Sequence, residues 1–157
     1  MRHGAAVDPG EAGGDAPRWL TEAGRRSVSA QAERLLLRQF RPDAVLSSPF
    51  VRAMQTAELI ADGLRFEGEI SVAQEFHPNF GTTADAVEAL RLASAPVVLA
   101  VGHEPSIRVL ASHLAGQTLP PFRTGMICCI RFEEDGSSTG EWLLDPTQES
   151  PFISLQR

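Results

Sequence analysis

Three short segments carry side chains suited to phosphate chemistry: Arg2-His3-Gly4, Ser47-Ser48-Pro49-Phe50-Val51-Arg52-Ala53 and Val101-Gly102-His103-Glu104-Pro105. A neutral imidazole can attack phosphorus and hold the phosphoryl group covalently, which splits one difficult displacement into two easier ones. The transferring group gathers negative charge on its equatorial oxygens, and guanidinium groups held nearby stabilise that charge. All 14 basic residues are arginine and none is lysine. Any anion site here must therefore use planar, forked donors that match phosphate oxygens two at a time. Cations beside His3 also disfavour a further positive charge and so keep its imidazole unprotonated and nucleophilic.

Chemistry of this kind needs elements that bring the segments together. Thr21 can cap a helix running to about Gln39, and Arg41-Pro42-Asp43 ends it. Ala44 to Ser47 reads as a short buried strand, followed by a helix from about Phe50 to Ala61 that stops near Asp62-Gly63. A short strand near Ile70 to Ala73 precedes a helix capped by Thr82 or Thr83 and running through about Ala93. Pro96 to Val101 is the clearest buried strand, and Pro105 opens a helix that reaches Leu114 and stops at Gly116. Met126 to Phe132 and Glu141 to Leu144 form a terminal hairpin around Glu134-Asp135-Gly136-Ser137, whereas residues 5–18 read as a loop. The alternation predicts a single α/β domain over residues 1–157, a three-layer sandwich with a mainly parallel central sheet flanked by helices. The second and third segments lie where a strand ends and a helix begins, which is the ligand-binding edge of an open α/β sheet. Helix N-termini there add free N–H groups and a positive dipole end. Arg2, Arg52 and two histidines at that edge would make a compact cationic pocket for a phosphoryl group.

Composition narrows the field further. With 157 residues, the chain can bury a real core. A net charge of -6 argues against a nucleic-acid partner. No stretch has the length of a membrane span and no positive-then-apolar leader opens the chain, so a cytoplasmic location is expected. Cys128 and Cys129 are adjacent in a strand-like run and point to opposite faces, so they are read as small buried residues rather than a disulfide. No histidine pair has local ligand spacing and no cysteine spacing is of the metal type; neither a metal nor a cofactor is assigned. His77 and His113 receive structural readings, as do Trp19 and Trp142.

The three segments together resemble the histidine phosphatase superfamily, the phosphoglycerate-mutase-like enzymes with an Arg-His-Gly motif. Within it the chain is similar to a short bacterial branch, the SixA-type phosphohistidine phosphatases. The opening motif matches Arg2-His3-Gly4. The Ser-Pro-x-x-Arg-Ala-x-Gln-Thr motif matches Ser48 to Thr56 throughout, and the later Gly/Ser-His matches Gly102-His103. The branch's Arg-Pro-Leu-Thr-x-x-Gly is similar to Arg18-Trp19-Leu20-Thr21-Glu22-Ala23-Gly24, with Trp19 in place of proline. The resemblance covers essentially the whole chain. It implies a phosphoglycerate-mutase-like fold, His3 as nucleophile, and Arg2, Arg52 and His103 around the phosphate, with Arg18 and Gly4 as additional phosphate or substrate contacts.

Two departures accompany it. Related phosphomonoester enzymes use a carboxylic acid to protonate the leaving oxygen; Glu75 is the best-placed candidate, ahead of Asp85 and Glu104. An imidazole leaving group has less need of one. Relatives also carry an apolar strand before Arg-His-Gly, where only Met1 stands here. The expectation is a chain that starts upstream of this Met1, or a truncated first strand that leaves neighbouring edges unpaired and His3 loosely held. The expected activity is a metal-independent phosphatase acting through a phosphohistidine intermediate on a phosphohistidine-bearing protein partner in signalling or phosphotransfer. A phosphatase of small phosphoesters and a non-catalytic phosphate-binding regulatory module are the alternatives.

Overall fold

The computed structural model describes residues 1–148 and 152–155. In chain order it contains helix α1 (Pro9–Ala12), α2 (Glu22–Leu37), strand β1 (Ala44–Ser47), α3 (Val51–Gly63), β2 (Ile70–Val72), a 3-10 turn at Gln74–Phe76, α4 (Thr83–Leu92), β3 (Val98–Val101), α5 (Ser106–Ala115), and strands β4 (Ile127–Phe132), β5 (Ser138–Leu144) and β6 (Phe152–Ser154). Local signals set most boundaries. The Gly24 amide donates to the Thr21 hydroxyl at the start of α2. Thr82 and Asp85 form a reciprocal capping box on α4. Gly116 ends α5 at φ 64°, a left-handed conformation that glycine adopts without a Cβ penalty. Helix α1 lies inside the segment expected as loop: Asp8 precedes it, Pro9 opens it and left-handed Gly13 closes it after one turn. The short strand β6 was not anticipated.

Strands β2, β1 and β3 pair in parallel in that order, and β4, β5 and β6 pair antiparallel. Residues 1–3 lie between the two sets. Arg2 bridges Gly102 in parallel, its amide donates to the Met126 carbonyl, and its carbonyl accepts from Gly125.

The strand period of two then makes three layers. Val45, Leu99, Ile127 and Leu144 face one way into a core with Val28, Leu35, Ala57 and Ile60 of α2 and α3. Their neighbours Leu46, Met126 and Leu143 face the opposite core with Ile107, Leu110 and Leu114 of α5 and Ala86 of α4. Cys128 packs on the α5 side, and both cysteines are free. Burial pushes their thiols up, Cys128 to about 12 and Cys129 to about 11. Among the described residues no helix is long and apolar enough to cross a membrane, and no group of three or more His, Cys, Asp or Glu could hold a metal ion.

Candidate active site

The ends of β1 and β3 and the first three residues converge on one point of the sheet edge. Ser48 follows β1 and its amide donates to the carbonyl of Val101, the last residue of β3. The amide of His3 donates to Gly102, and its carbonyl accepts from Gly125. The amino group of Met1 donates to Ala100. His3 is therefore tied on both sides of its backbone, by β3 on one side and by the turn before β4 on the other.

The Ser48–Thr56 segment connects to the rest of the site residue by residue. Thr56 accepts from the Gly4 amide at 3.0 Å and donates to the Arg52 carbonyl. The Gln55 carbonyl oxygen accepts from the Leu20 amide at 2.8 Å. That bond fixes the strap carrying Arg18, which is held further by an Ala6–Leu20 bridge and by Arg18 Nε donating to Val7. Helix α2 closes under the strap because Gly24 has no side chain: a Cβ there would sit 2.1 Å from the Ala5 carbonyl oxygen. Gly4 gives its amide to Thr56 and its carbonyl to His3, so it is committed to placing the histidine and does not line the cavity.

The resulting cavity is about 340 Å³ and is lined by Arg2, His3, Ala5, Ala6, Asp15, Arg18, Arg52, Pro78, His103, Glu104 and Thr124. His3, Arg52 and His103 are 7%, 4% and 3% exposed. The two imidazole centroids are 5.0 Å apart. His3 Nδ1 lies 2.7 Å from the Gly4 carbonyl, which can only accept, so the proton of the neutral ring is on Nδ1. Nε2 keeps its lone pair, and it accepts from Arg52 Nε at 3.2 Å. Burial lowers His3 to about 4, with Arg52, Arg2 and Arg18 adding to the shift against the bond to Gly4. Burial likewise lowers His103 to about 3, with His3 and Arg52 adding. Both rings are neutral at physiological pH.

Sequence reasoning missed Asp15. Its Oδ2 pairs with Arg52 at 3.1 Å, its Oδ1 with Arg18 at 3.0 Å, and its backbone carbonyl accepts from Arg52 Nη1 at 2.6 Å. Desolvation alone would raise the carboxyl, but the bonds from Arg18 and Arg52 outweigh it and hold Asp15 below the usual carboxylate range. The only available signal was its place three residues before Arg18 in an acidic, glycine-rich loop.

The candidate acids separate. Glu75 lies on the 3-10 turn and lines an adjacent cavity of about 250 Å³ that shares His103 as a wall, not the cavity of His3. Asp85 caps α4. Glu104 does line the cavity, with Oε1 held by Arg108 at 2.8 Å. Among the described residues, the buried side-chain polar atoms without a partner are Arg2 Nε, His103 Nδ1 and Glu104 Oε2. All three belong to the walls of this one cavity. Native proteins rarely leave such atoms unpaired, so their concentration in one place calls for a bound group.

Comparisons with known proteins place the family and the fold. A family model described as the histidine phosphatase superfamily (branch 1) matches residues 1–82. The phosphohistidine phosphatase SixA of Escherichia coli (strain K12) is 33% identical over 150 residues, covering 93% of this chain and 91% of that protein. A structure of the protein histidine phosphatase SixA complexed with tungstate superposes with a TM-score of 0.83 at 32% identity, covering 93% of this chain and 94% of that one. The alpha-ribazole phosphatase of Shigella flexneri shares the fold at 17% identity, with a TM-score of 0.67 over 90% of this chain and 92% of its own.

Proposed function

The chain belongs to the histidine phosphatase superfamily (branch 1), and from that premise we propose that it removes the phosphoryl group from phosphohistidine on a partner protein by way of a phospho-His3 intermediate. The observation that carries this reading is the lone pair on His3 Nε2, in a cavity whose walls are three arginines and a second neutral histidine.

The reaction runs in two displacements. Arg52 releases Nε2 as a phosphoryl group enters between Arg2, Arg18 and Arg52. The lone pair attacks phosphorus, and the bond from phosphorus to the substrate imidazole breaks with its electron pair leaving on that nitrogen; the substrate ring, already protonated on its other nitrogen, departs neutral. Water then attacks the phosphoryl group on His3, the P–Nε2 bond breaks, and inorganic phosphate leaves with the ring neutral again. Nδ1 stays on the Gly4 carbonyl in both steps, so the ring neither rotates nor changes its proton. The arginines and His103 hold the equatorial oxygens, where charge is greatest in the transition state.

The substrate class follows from what the cavity offers a leaving group. An alkoxide needs a proton from a positioned acid, whereas imidazole is a better leaving group. Of Glu75, Asp85 and Glu104, only Glu104 lines the cavity, alongside Asp15, so small phosphomonoesters would depend on one of these two carboxyls rather than on Glu75. The chain's likeness to a protein histidine phosphatase favours a phosphohistidine-bearing protein as substrate; a signalling or phosphotransfer role in the cytoplasm completes the proposal.

The test is a panel of one phosphohistidine protein and several phosphomonoesters, run with isotopic trapping of the enzyme. Wild type should clear the phosphohistidine protein far faster and carry acid-labile label, whereas His3→Ala should carry none. Equal labelling of both proteins would end the covalent mechanism, and faster turnover of sugar phosphates would reverse the substrate assignment.

A further inference from the structure

Ser48 sits in a motif whose arginine has an evident role, yet its own hydroxyl bears on the other histidine. His103 Nε2 is 2.7 Å from Ser48 Oγ, and both residues are buried. A neutral imidazole has one N–H, and two arrangements fit that distance. Either Nε2–H donates to the serine, or the serine O–H donates to a bare Nε2 and the ring proton is on Nδ1.

The surroundings of Ser48 separate the two. Its oxygen already accepts from the Phe50 amide at 3.4 Å. Its amide is engaged by Val101, and its carbonyl accepts from the Ser47 hydroxyl. Among the described residues, the acceptor in reach of the Ser48 hydroxyl proton is His103 Nε2. If Nε2 instead carried the proton, that hydroxyl would be a buried donor with nothing to bind. His103 Nδ1, which has no partner on a ring that lines the cavity, would present a bare lone pair toward phosphoryl oxygens. The first loss vanishes when the serine donates, because its hydroxyl proton then has an acceptor; Nδ1 is left with an N–H, which on the phosphatase reading suits a phosphoryl oxygen. Burial keeps His103 neutral, so no second proton blurs the choice.

We infer that Ser48 is a positioning residue that fixes His103 in its Nδ1–H tautomer and thereby supplies the phosphate cavity with an uncharged donor. The two histidines then carry their protons on the same ring nitrogen by different means. His3 is set by a carbonyl that can only accept, and His103 by a hydroxyl whose proton has no other acceptor in reach among the described residues. One ring is left as a nucleophile and the other as a donor. The role in turnover rests on the phosphatase reading above; the proton placement does not.

The experiment reads both. Long-range proton–nitrogen spectra of uniformly ¹⁵N-labelled protein, with His103 assigned by its loss in His103→Asn, should show Nδ1 protonated and Nε2 bare in the free protein at neutral pH. In Ser48→Ala the pattern should shift toward Nε2–H. On the phosphohistidine protein, kcat should fall about 10²-fold, the scale of a lost transition-state donor, with KM little changed. A wild type with Nε2–H, or an unchanged tautomer in Ser48→Ala, overturns the inference. A wild type without hydrolysis counts against the phosphatase reading alone, because the nitrogen pattern is read without turnover.

Discussion

The two walls of the cavity are built on opposite plans. The sheet-edge wall, with His3, Arg52 and His103, is closed to solvent, and its backbone is bonded into β3, the Gly125 turn or the first turn of α3. The strap wall comes from residues 5–18, where the Asp15 side chain is 51% and the Arg18 side chain 22% exposed. Burial on the first side decides where protons sit and keeps both rings neutral. Exposure on the second leaves ion pairs that water weakens and an incoming anion can exchange. On the proposed function, chemistry falls to the buried wall and admission of the anion to the exposed one.

That division can be broken most directly at Arg52, which touches both walls. Arg52→Ala removes the donor to His3 Nε2 and one of the two arginine partners of Asp15. It should lower kcat/KM by at least ~10²–10³-fold. A loss of less than tenfold in a steady-state assay would mean that the buried wall is not where transition-state charge is held.

A second effect belongs to the buried wall alone. His3 and His103 are held at about 4 and about 3 in the folded protein, against about 6.5 in the unfolded chain. Between pH 6.5 and 4 the unfolded chain binds protons that the folded one refuses, so stability rises with pH across that window and is lost on acidification. Urea midpoints should fall steeply from pH 7.5 to pH 5, and His3→Asn/His103→Asn should flatten the profile. A midpoint that is level from pH 7.5 to pH 5 in wild type would contradict neutral burial of the two rings.

The smallest effect is expected on the strap. Asp15→Asn removes a carboxylate that occupies the same guanidinium groups an oxyanion would use. An ion pair this exposed is worth roughly 0.2–1 kcal/mol. Vanadate should therefore bind the variant about 2–5-fold more tightly by calorimetry. Weaker binding would show that Asp15 orients Arg52 rather than competing for it.

How much of this was legible in the sequence follows the same division. The residues the structure gathers at the sheet edge, Arg2, His3, Arg52 and His103, stand in short motifs at strand ends, where chain-local signals are strongest. The helix cap at Thr21 was equally plain, and that of α4 was narrowed to Thr82 or Thr83. The supporting bonds were hidden because they join residues far apart: Ser48 to His103 across 55 positions, Gly4 to Thr56 across 52, Leu20 to Gln55 across 35. No periodicity reports such a pairing, since it depends on how α2, α3 and the strap dock. Asp15 was illegible for another reason, as an acidic residue in a polar loop is ordinarily solvated. Glu75 was favoured by its place in the chain, but the 3-10 turn carries it to the far side of His103.

The bond from Arg2 Nη1 to the Phe122 carbonyl, between residues 120 positions apart, also bears on how the protein comes into being. Residues 1–3 have their final partners only when Phe122 to Met126 lies beside them. Closing a loop of that length costs chain entropy before the contact rewards it, which slows folding. A nascent chain, or one cut before that turn, would hold every residue of the three motifs and still offer no formed cleft. The cleft is a property of the whole topology, since its walls come from residues as far apart in the chain as Arg2 and Thr124.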